Sequence, residues 1–209
     1  LDVSQCFKLK ELNCSGNQLM ELDVGNQTQL TQLDCSNNKL TELNVKQNGG
    51  LTSLICNDNQ LKSLDLSKNN SLSNLNCAKN RLACVDFSHM IGSTINADGN
   101  RRPIAVRTDG TFDLTTLPDF DVSKATFLNG GSVSGTMLNV DAGANEVSYQ
   151  YNCGNGVNPT FIFETSLPIN EDNFPDDSFR NYIKTHKAGG RDVLTVEERS
   201  KVETIEVEG

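Results

Sequence analysis

The chain has 209 residues, a formal net charge of −9, no tryptophan and only 6% aromatic residues. Nucleic-acid binding requires a basic surface, so this charge balance argues against a nucleic-acid partner. No stretch comes near the roughly 18 consecutive apolar residues that a membrane-spanning helix needs. With so few aromatic rings the core is expected to be aliphatic and repetitive, which makes an internal repeat the first feature to look for.

A repeat with a period of 21 residues runs through the first half of the chain. Its apolar columns include Leu9, Leu30, Leu51 and Leu72; Leu12, Leu33, Leu54 and Leu75; and Leu19, Leu40, Leu61 and Leu82. A cysteine column and an asparagine column keep the same period: Cys14, Cys35, Cys56 and Cys77; Asn17, Asn38, Asn59 and Asn80. The unit is L-x-x-L-x-C-x-x-N-x-L, and the given sequence is expected to begin within one such unit.

Each repeat, called a rung below, predicts one short strand followed by a turn. Leu12 and Cys14 alternate as strand residues do, and equivalent strands would stack in parallel at about 4.8 Å. Stacking buries a continuous apolar column that no single rung could bury alone. The asparagine column is interpreted as structural, bonding backbone groups where the chain leaves the strand; a ligand role is the alternative. The cysteine column predicts buried, reduced thiols that act as small hydrophobes.

The outward positions of these strands form a concave strand face, which is the candidate binding surface. They are Glu11, Asn13, Ser15, Gln32, Asp34, Ser36, Ser53, Ile55, Asn57, Asn74, Asn76 and Ala78. The candidate ligand-binding residues among them are Asn13, Asp34, Ile55, Asn76, Ser36 and Asn57. Tryptophan, tyrosine and arginine, which dominate protein-binding hot spots, do not occur there. A protein or carbohydrate ligand is expected, with Asp34 and Ile55 contributing most.

The repeat ends near residue 103 and a different pattern follows. After Phe87 the spacing between equivalent residues changes from 21 to 20. Pro103 has no backbone N–H to donate to a further strand of the sheet, so the repeat is expected to end there. Residues 104–167 show two-residue alternation, as in Val147–Cys153, between glycine-rich breaks. The expected domains are therefore a solenoid over 1–103 and a small antiparallel β-module over 104–167 that caps it.

Residues 168–209 predict a helical cap and the start of another repeat array. A helix is expected over Pro175–His186, and a T-x-x-E capping box at Thr195 predicts a second short helix. Val202–Val207 has the spacing of a rung strand, so it is interpreted as the first strand of a following array.

The loop from Lys187 to Glu198 has EF-hand-like spacing but not the ligands. Its first, third and fifth positions would be Lys187, Gly189 and Arg191, which offer no side-chain oxygen for calcium. No metal and no cofactor are therefore expected in this chain.

No catalytic constellation emerges from the remaining cysteines and histidines. Cys84 and His89 lie five residues apart but have no orienting partner, so a thiol nucleophile is not expected. A disulfide between Cys84 and Cys153 remains open from the sequence.

These patterns together resemble a known family. The cysteine-bearing 21-residue repeat resembles bacterial surface leucine-rich repeat proteins of the internalin type, especially those with a cysteine ladder. The segment from Ile169 to Arg180 resembles the truncated EF-hand-like cap of such proteins, and the segment from Phe112 to Phe163 resembles the β-modules that follow the repeats in secreted Gram-positive proteins.

The resemblance implies an α/β-type leucine-rich repeat solenoid, mostly β with an irregular convex side, followed by the β-module and the helical cap. It implies a secreted or cell-surface protein, with any signal and anchor outside this chain, that binds or adheres without catalysis. A monomer is expected. The alternatives are a structural spacer and an accessory region of a larger secreted enzyme.

Overall fold

The computed structural model describes residues 1–168, 180–181, 183, 185 and 193–195. Its contacts group the chain into two compact units, each built from separate stretches. The first unit comprises Leu1–Arg102, Pro118–Thr126 and Tyr149–Ile162, and the second comprises Pro103–Leu117, Phe127–Ser148 and the described residues from Phe163 onward. The three consecutive domains expected from the sequence stay a prediction.

The repeats of the first unit form a parallel sheet with one three-residue strand per rung. The strands are β1 (Glu11–Asn13), β2 (Gln32–Asp34), β3 (Ser53–Ile55), β4 (Asn74–Asn76) and β5 (Thr94–Asn96), in sequence order across the sheet. Leu12 pairs with Leu33, and the register continues through Leu54 and Leu75 to Ile95. The solenoid prediction is confirmed, and it extends through β5 despite the slipped spacing.

The core of the central rungs is aliphatic, as the composition predicts. Leu33, Leu54 and Leu75 of the strands are buried, and the other leucine columns of the central rungs are buried behind them. Burying one such side chain contributes about 1.5–3 kcal/mol, so the stack depends on every rung being covered by its neighbours.

A tight turn follows each strand and needs a left-handed residue. The backbone φ is positive one residue before each asparagine of the column and before Asn100, which follows it: at Gly16, Asn37, Asp58, Lys79 and Gly99. Glycine, asparagine and aspartate tolerate this region well, whereas a lysine such as Lys79 adopts it at some cost. The turn directs the chain away from the sheet at the same place in every rung.

Residues 149–155 pack on the last full rung within the first unit. Tyr149 donates its hydroxyl to the carbonyl oxygen of Ala83 at 2.7 Å, and the Phe87 amide donates to the carbonyl oxygen of Cys153 at 2.6 Å. The Tyr149 ring stacks on Phe161 at 5.8 Å between centroids. These contacts give the aliphatic stack an aromatic neighbour at its end.

The remaining described strands are antiparallel where their pairing is resolved, which confirms the predicted antiparallel module. They are β6 (Asn100–Ala105), β7 (Thr111–Asp113), β8 (Ala125–Asn129), β9 (Gly131–Ser134), β10 (Met137–Val140), β11 (Glu146–Tyr151), β12 (Thr160–Pro168) and β13 (Val193–Thr195). One sheet has the order β7-β10-β9; another has the order β13-β12-β11-β8, with β6 also pairing β12. Short 3-10 turns occupy Leu114–Thr116 and Val122–Lys124.

Few residues of the C-terminal segment are described. Arg180, Asn181, Ile183 and Thr185 are helical, within the predicted helix, and Ile183 is buried. Val193–Thr195 is a strand that the sequence did not predict, paired antiparallel with β12. Three other predictions lie outside the described residues: the second short helix, the loop from Lys187 to Glu198 apart from this strand, and the strand Val202–Val207. No helix in the described part of the chain is long and apolar enough to cross a membrane.

Candidate ligand-binding face

The asparagine ladder ties each rung to its neighbours through the backbone. Asn59 donates through Nδ2 to the carbonyl oxygen of Cys56 in its own rung at 3.2 Å and to that of Cys35 in the preceding rung at 3.0 Å. Its Oδ1 accepts from the Leu40 amide at 2.9 Å. Asn17, at the exposed end, bonds only within its own rung. The ladder consumes its own polar groups, which favours the structural interpretation over a ligand role.

The cysteine ladder is a column of buried free thiols. Cys35, Cys56 and Cys77 are 0% exposed and Cys14 is nearly buried; none forms a disulfide. Burial raises the pKa of Cys35 and of Cys77 to about 12 and that of Cys56 well above its ordinary value. These thiols are therefore protonated at neutral pH and contribute packing rather than chemistry.

A second amide ladder lies outside the sheet, and the sequence analysis missed it. Asn48 donates through Nδ2 to the carbonyl oxygens of Val24 and Gln27, at 3.0 and 2.9 Å, and Asn69 repeats both bonds one rung later. The signal was the same 21-residue period. The equivalent residues are Cys6, Gln27, Asn48 and Asn69, and the period is hard to see because their side chains differ in chemistry.

The outward side of the five-stranded sheet, called the strand face below, carries a central column in register. Asn13 lies beside Asp34, Asp34 beside Ile55 and Ile55 beside Asn76. The register adds a fifth member, Asn96, beside Asn76. The slip to a spacing of 20 after β4 concealed Asn96 from the 21-residue pattern. Asn13 and Asn96 are exposed, and the other three are partly exposed.

Each polar member of the column is held by an Asx turn. Oδ1 of Asn13 accepts from the Ser15 amide at 3.0 Å, and Oδ1 of Asn76 accepts from the Ala78 amide at 3.2 Å. Asn96 makes the same turn with the amide two residues on. Each Asx turn uses the Oδ1 atom and thereby fixes the orientation of the remaining polar atom of the side chain.

Two of the predicted binding residues next to the column differ in what they offer. Ser36 is only 6% exposed, and its hydroxyl donates to Oδ1 of Asp34 at 2.7 Å, so it supports Asp34 rather than facing solvent. Asn57 is partly exposed and donates to the carboxylate of Asp58 at 2.7 Å. Ser36 was expected to face outward, but it is nearly buried, whereas Ser15 and Asn57 at the same position of the neighbouring rungs are partly exposed.

A separate cleft of about 590 Å³ lies within the first unit. Its lining includes Lys62, Cys84, Asp86, His89, Asp119 and Lys124. Burial raises the pKa of Cys84 to about 11, and its thiol contacts the Pro118 carbonyl oxygen at 3.7 Å. A thiolate nucleophile is therefore disfavoured at neutral pH. Cys84 and Cys153 are both free, so the disulfide left open from the sequence is not formed.

The parallel one-strand-per-rung sheet, the leucine columns and the asparagine ladder define a leucine-rich repeat protein. No protein-family model matches the chain, and no curated protein sequence matches it.

Among solved structures, leucine-rich repeat proteins are similar to this chain at low sequence identity and low TM-score. The functional domain of InlJ from Listeria monocytogenes, which includes a cysteine ladder, is 17% identical with a TM-score of 0.44, covering 79% of this chain and 69% of that one. A Listeria monocytogenes internalin-like protein is 15% identical with a TM-score of 0.40, covering 76% and 58%. A Leptospira interrogans leucine-rich repeat protein is 22% identical with a TM-score of 0.44, covering 49% and 28%. This chain thus spans less than two thirds of the length of the latter two.

Proposed function

We propose that this chain is a non-catalytic binding region of a secreted or cell-surface bacterial protein, and that it presents the strand face to a protein or carbohydrate ligand. The observation that carries the proposal is the in-register column of Asn13, Asp34, Ile55, Asn76 and Asn96, whose polar members are fixed by Asx turns. The proposed location of the protein, secreted or at the cell surface, rests on the resemblance of the repeats and flanking segments to those of exported proteins.

Pre-organisation makes this face suited to binding. A side chain that is already held in one orientation loses less conformational entropy when a ligand binds it. The strands beneath are held by the leucine stack and by two ladders of buried amides, so the column is supported on a rigid base.

The chemistry of the described residues supports binding rather than catalysis. The half-buried thiol of Cys84 has a raised pKa and the ladder thiols are buried, so neither offers an activated nucleophile. The asparagines of the strand face do not titrate, and Asp34 already accepts two bonds from Ser36. Such groups bind by hydrogen bonding.

Substitution of Ile55 tests the proposal. Ile55→Asp should abolish binding to any member of an array of defined oligosaccharides and synthetic peptides that the parent protein binds, because it places a charge in the middle of the column. Gln47→Asp adds the same charge on an exposed turn outside the sheet and should leave binding unchanged. Melting temperatures of both variants should stay close to that of the parent. Binding that survives Ile55→Asp, or an array on which the parent binds nothing, would contradict the proposal and favour a structural spacer.

A further inference from the structure

We propose that the second amide ladder, formed by Gln27, Asn48 and Asn69, binds two water molecules inside the first unit. One water donates to the side-chain oxygens of Gln27 and Asn48, and the other donates to those of Asn48 and Asn69. These sites lie outside the five-stranded sheet and do not depend on the proposed function. Their basis is a row of buried amide oxygens that receive no hydrogen bond from any described residue.

The three amides of this ladder are fully buried, and each leaves its oxygen without a donor. Gln27, Asn48 and Asn69 are all 0% exposed. Their nitrogens are used: Nε2 of Gln27 donates to the carbonyl oxygen of Val3 at 2.7 Å, and Nδ2 of each asparagine donates to two carbonyl oxygens of the preceding rung. Among the described residues nothing donates to Oε1 of Gln27 or to Oδ1 of the asparagines. Buried acceptors of this kind are normally paired with a protein donor or with an ordered water.

The ladder cannot supply a donor to these oxygens itself. A side-chain amide has two N–H groups and one oxygen, and in Asn48 and Asn69 both N–H groups are spent on carbonyls. The first asparagine ladder meets the same need with a protein group, because Oδ1 of Asn59 accepts from the Leu40 amide at 2.9 Å. The second ladder has no such amide among the described residues, so its donor must come from outside the protein.

The repeat brings neighbouring oxygens within reach of a single water. Asn69 repeats both hydrogen bonds of Asn48 one rung later, so the two amides hold equivalent positions and orientations. Rungs repeat at about 4.8 Å where their strands pair. A water that donates both hydrogens at about 2.8 Å bridges acceptors up to about 5.6 Å apart. Each water thus makes two bonds, which lies within the range of about two to four that buried waters make.

The residues at the two ends of the ladder limit the number of waters to two. The equivalent position is Cys6 one repeat before Gln27, and Met90 one repeat after Asn69. The Met90 amide donates to the carbonyl oxygen of Phe87 at 2.9 Å, the same turn bond that the Asn69 amide makes three residues back, so the two residues hold the same place in their rungs. Thiol and thioether sulfurs are weak acceptors and offer no amide oxygen to a third water.

Water fits this row better than a cation does. Calcium takes about six to eight oxygen ligands, whereas the row offers one side-chain oxygen per rung. A buried cation also needs an opposite charge nearby, and no group of three or more histidine, cysteine or acidic side chains in the described part of the chain could hold a metal ion. A neutral molecule with two donors meets the need without adding charge.

Counting long-lived internal waters by oxygen-17 magnetic relaxation dispersion tests the inference. Asn48→Leu removes the oxygen that both waters share, so the count should fall by two, whereas Asn69→Leu should lower it by one. Asn59→Leu makes the same change in the first ladder, where the oxygen already has a protein donor, and should leave the count unchanged. All variants are compared at a temperature at which their circular dichroism matches that of the parent. An unchanged count in Asn48→Leu, or equal changes in Asn48→Leu and Asn59→Leu, would overturn the inference.

A high-resolution crystal structure of the parent protein gives a second test that does not depend on how the variants fold. It should show one density peak between the oxygens of Gln27 and Asn48 and one between those of Asn48 and Asn69, each about 2.8 Å from both oxygens. The absence of these peaks, or protein donors on the same oxygens, would overturn the inference. A peak with six or more oxygen neighbours at about 2.4 Å would also overturn it, because that geometry identifies a bound cation.

Discussion

Asn59 reaches back one full rung, and its Nδ2 donates to the carbonyl oxygen of Cys35, 24 residues earlier, at 3.0 Å. The acceptor lies just behind the strand face and is fully buried, so no water could replace this donor without opening the core. The same side chain also accepts from a backbone amide of the preceding rung. One asparagine thus determines how two rungs stack.

Removing this side chain should destabilise the protein strongly. Asn59→Ala leaves the buried Leu40 amide without its side-chain partner. It also removes one of two side-chain donors from each of the Cys35 and Cys56 carbonyls, which keep their bonds from Asn38 and Asn80. The expected loss is about 2–4 kcal/mol in the free energy of unfolding, because one unsatisfied buried amide costs about 1–3 kcal/mol and each lost bond to a carbonyl that keeps another donor costs less. Urea denaturation followed by circular dichroism measures it.

Asn17→Ala is the matched control for this prediction. Asn17 occupies the same column but is exposed and makes no bond to another rung. It should cost less than about 1 kcal/mol. Equal losses for the two variants would mean that the ladder bonds between rungs do not stabilise the stack.

The cysteine ladder should be protected from thiol reagents in the folded state. Cys6 is exposed and should react at once, whereas Cys35, Cys56 and Cys77 should react only after denaturant is added. Cys6 therefore serves as the internal positive control in peptide mapping by mass spectrometry. Rapid labelling of all seven cysteines without denaturant would show that the ladder is not packed.

The raised thiol pKa values predict a loss of stability in alkali. Burial raises the pKa of Cys35 and Cys77 to about 12, from an ordinary value near 9. Below pH 9 both states keep the proton, so the stability is fully present; above it the unfolded state loses the proton first. The free energy of unfolding should fall by about 1.4 kcal/mol per pH unit for each such thiol until the folded-state pKa is reached.

Removing the thiols should flatten this dependence. The double variant Cys35→Ala/Cys77→Ala is less stable at pH 7, yet its stability should decline less steeply between pH 9 and pH 10.5 than that of the parent. Urea denaturation at each pH gives the slopes. Parallel slopes in parent and variant would show that the thiols ionise as easily in the folded protein as in the unfolded chain.

The repeat could be predicted from sequence because stacking requires equivalent residues in every rung, and this requirement leaves a visible period. The register from Leu12 to Leu75 and the buried cysteines follow from it directly. The burial of Ser36 does not follow from it, because Ser15 and Asn57 occupy the same position of the repeat and stay partly exposed. The contact of Tyr149 with Ala83 joins residues 66 positions apart that share no period, so only the folded structure reveals it.

That contact yields the last prediction. The Tyr149 hydroxyl and the Ala83 carbonyl are both buried, so Tyr149→Phe removes the donor from an oxygen that water cannot reach. We expect a loss of about 1.5–3 kcal/mol in the free energy of unfolding. Tyr151→Phe is the control: its hydroxyl accepts from the amide of Asp121, an exposed residue, and this bond is only partly buried, so the loss should be smaller than for Tyr149→Phe. If Tyr149→Phe unfolds at the same urea concentration as the parent, residues 149–155 do not stabilise the last full rung through this bond.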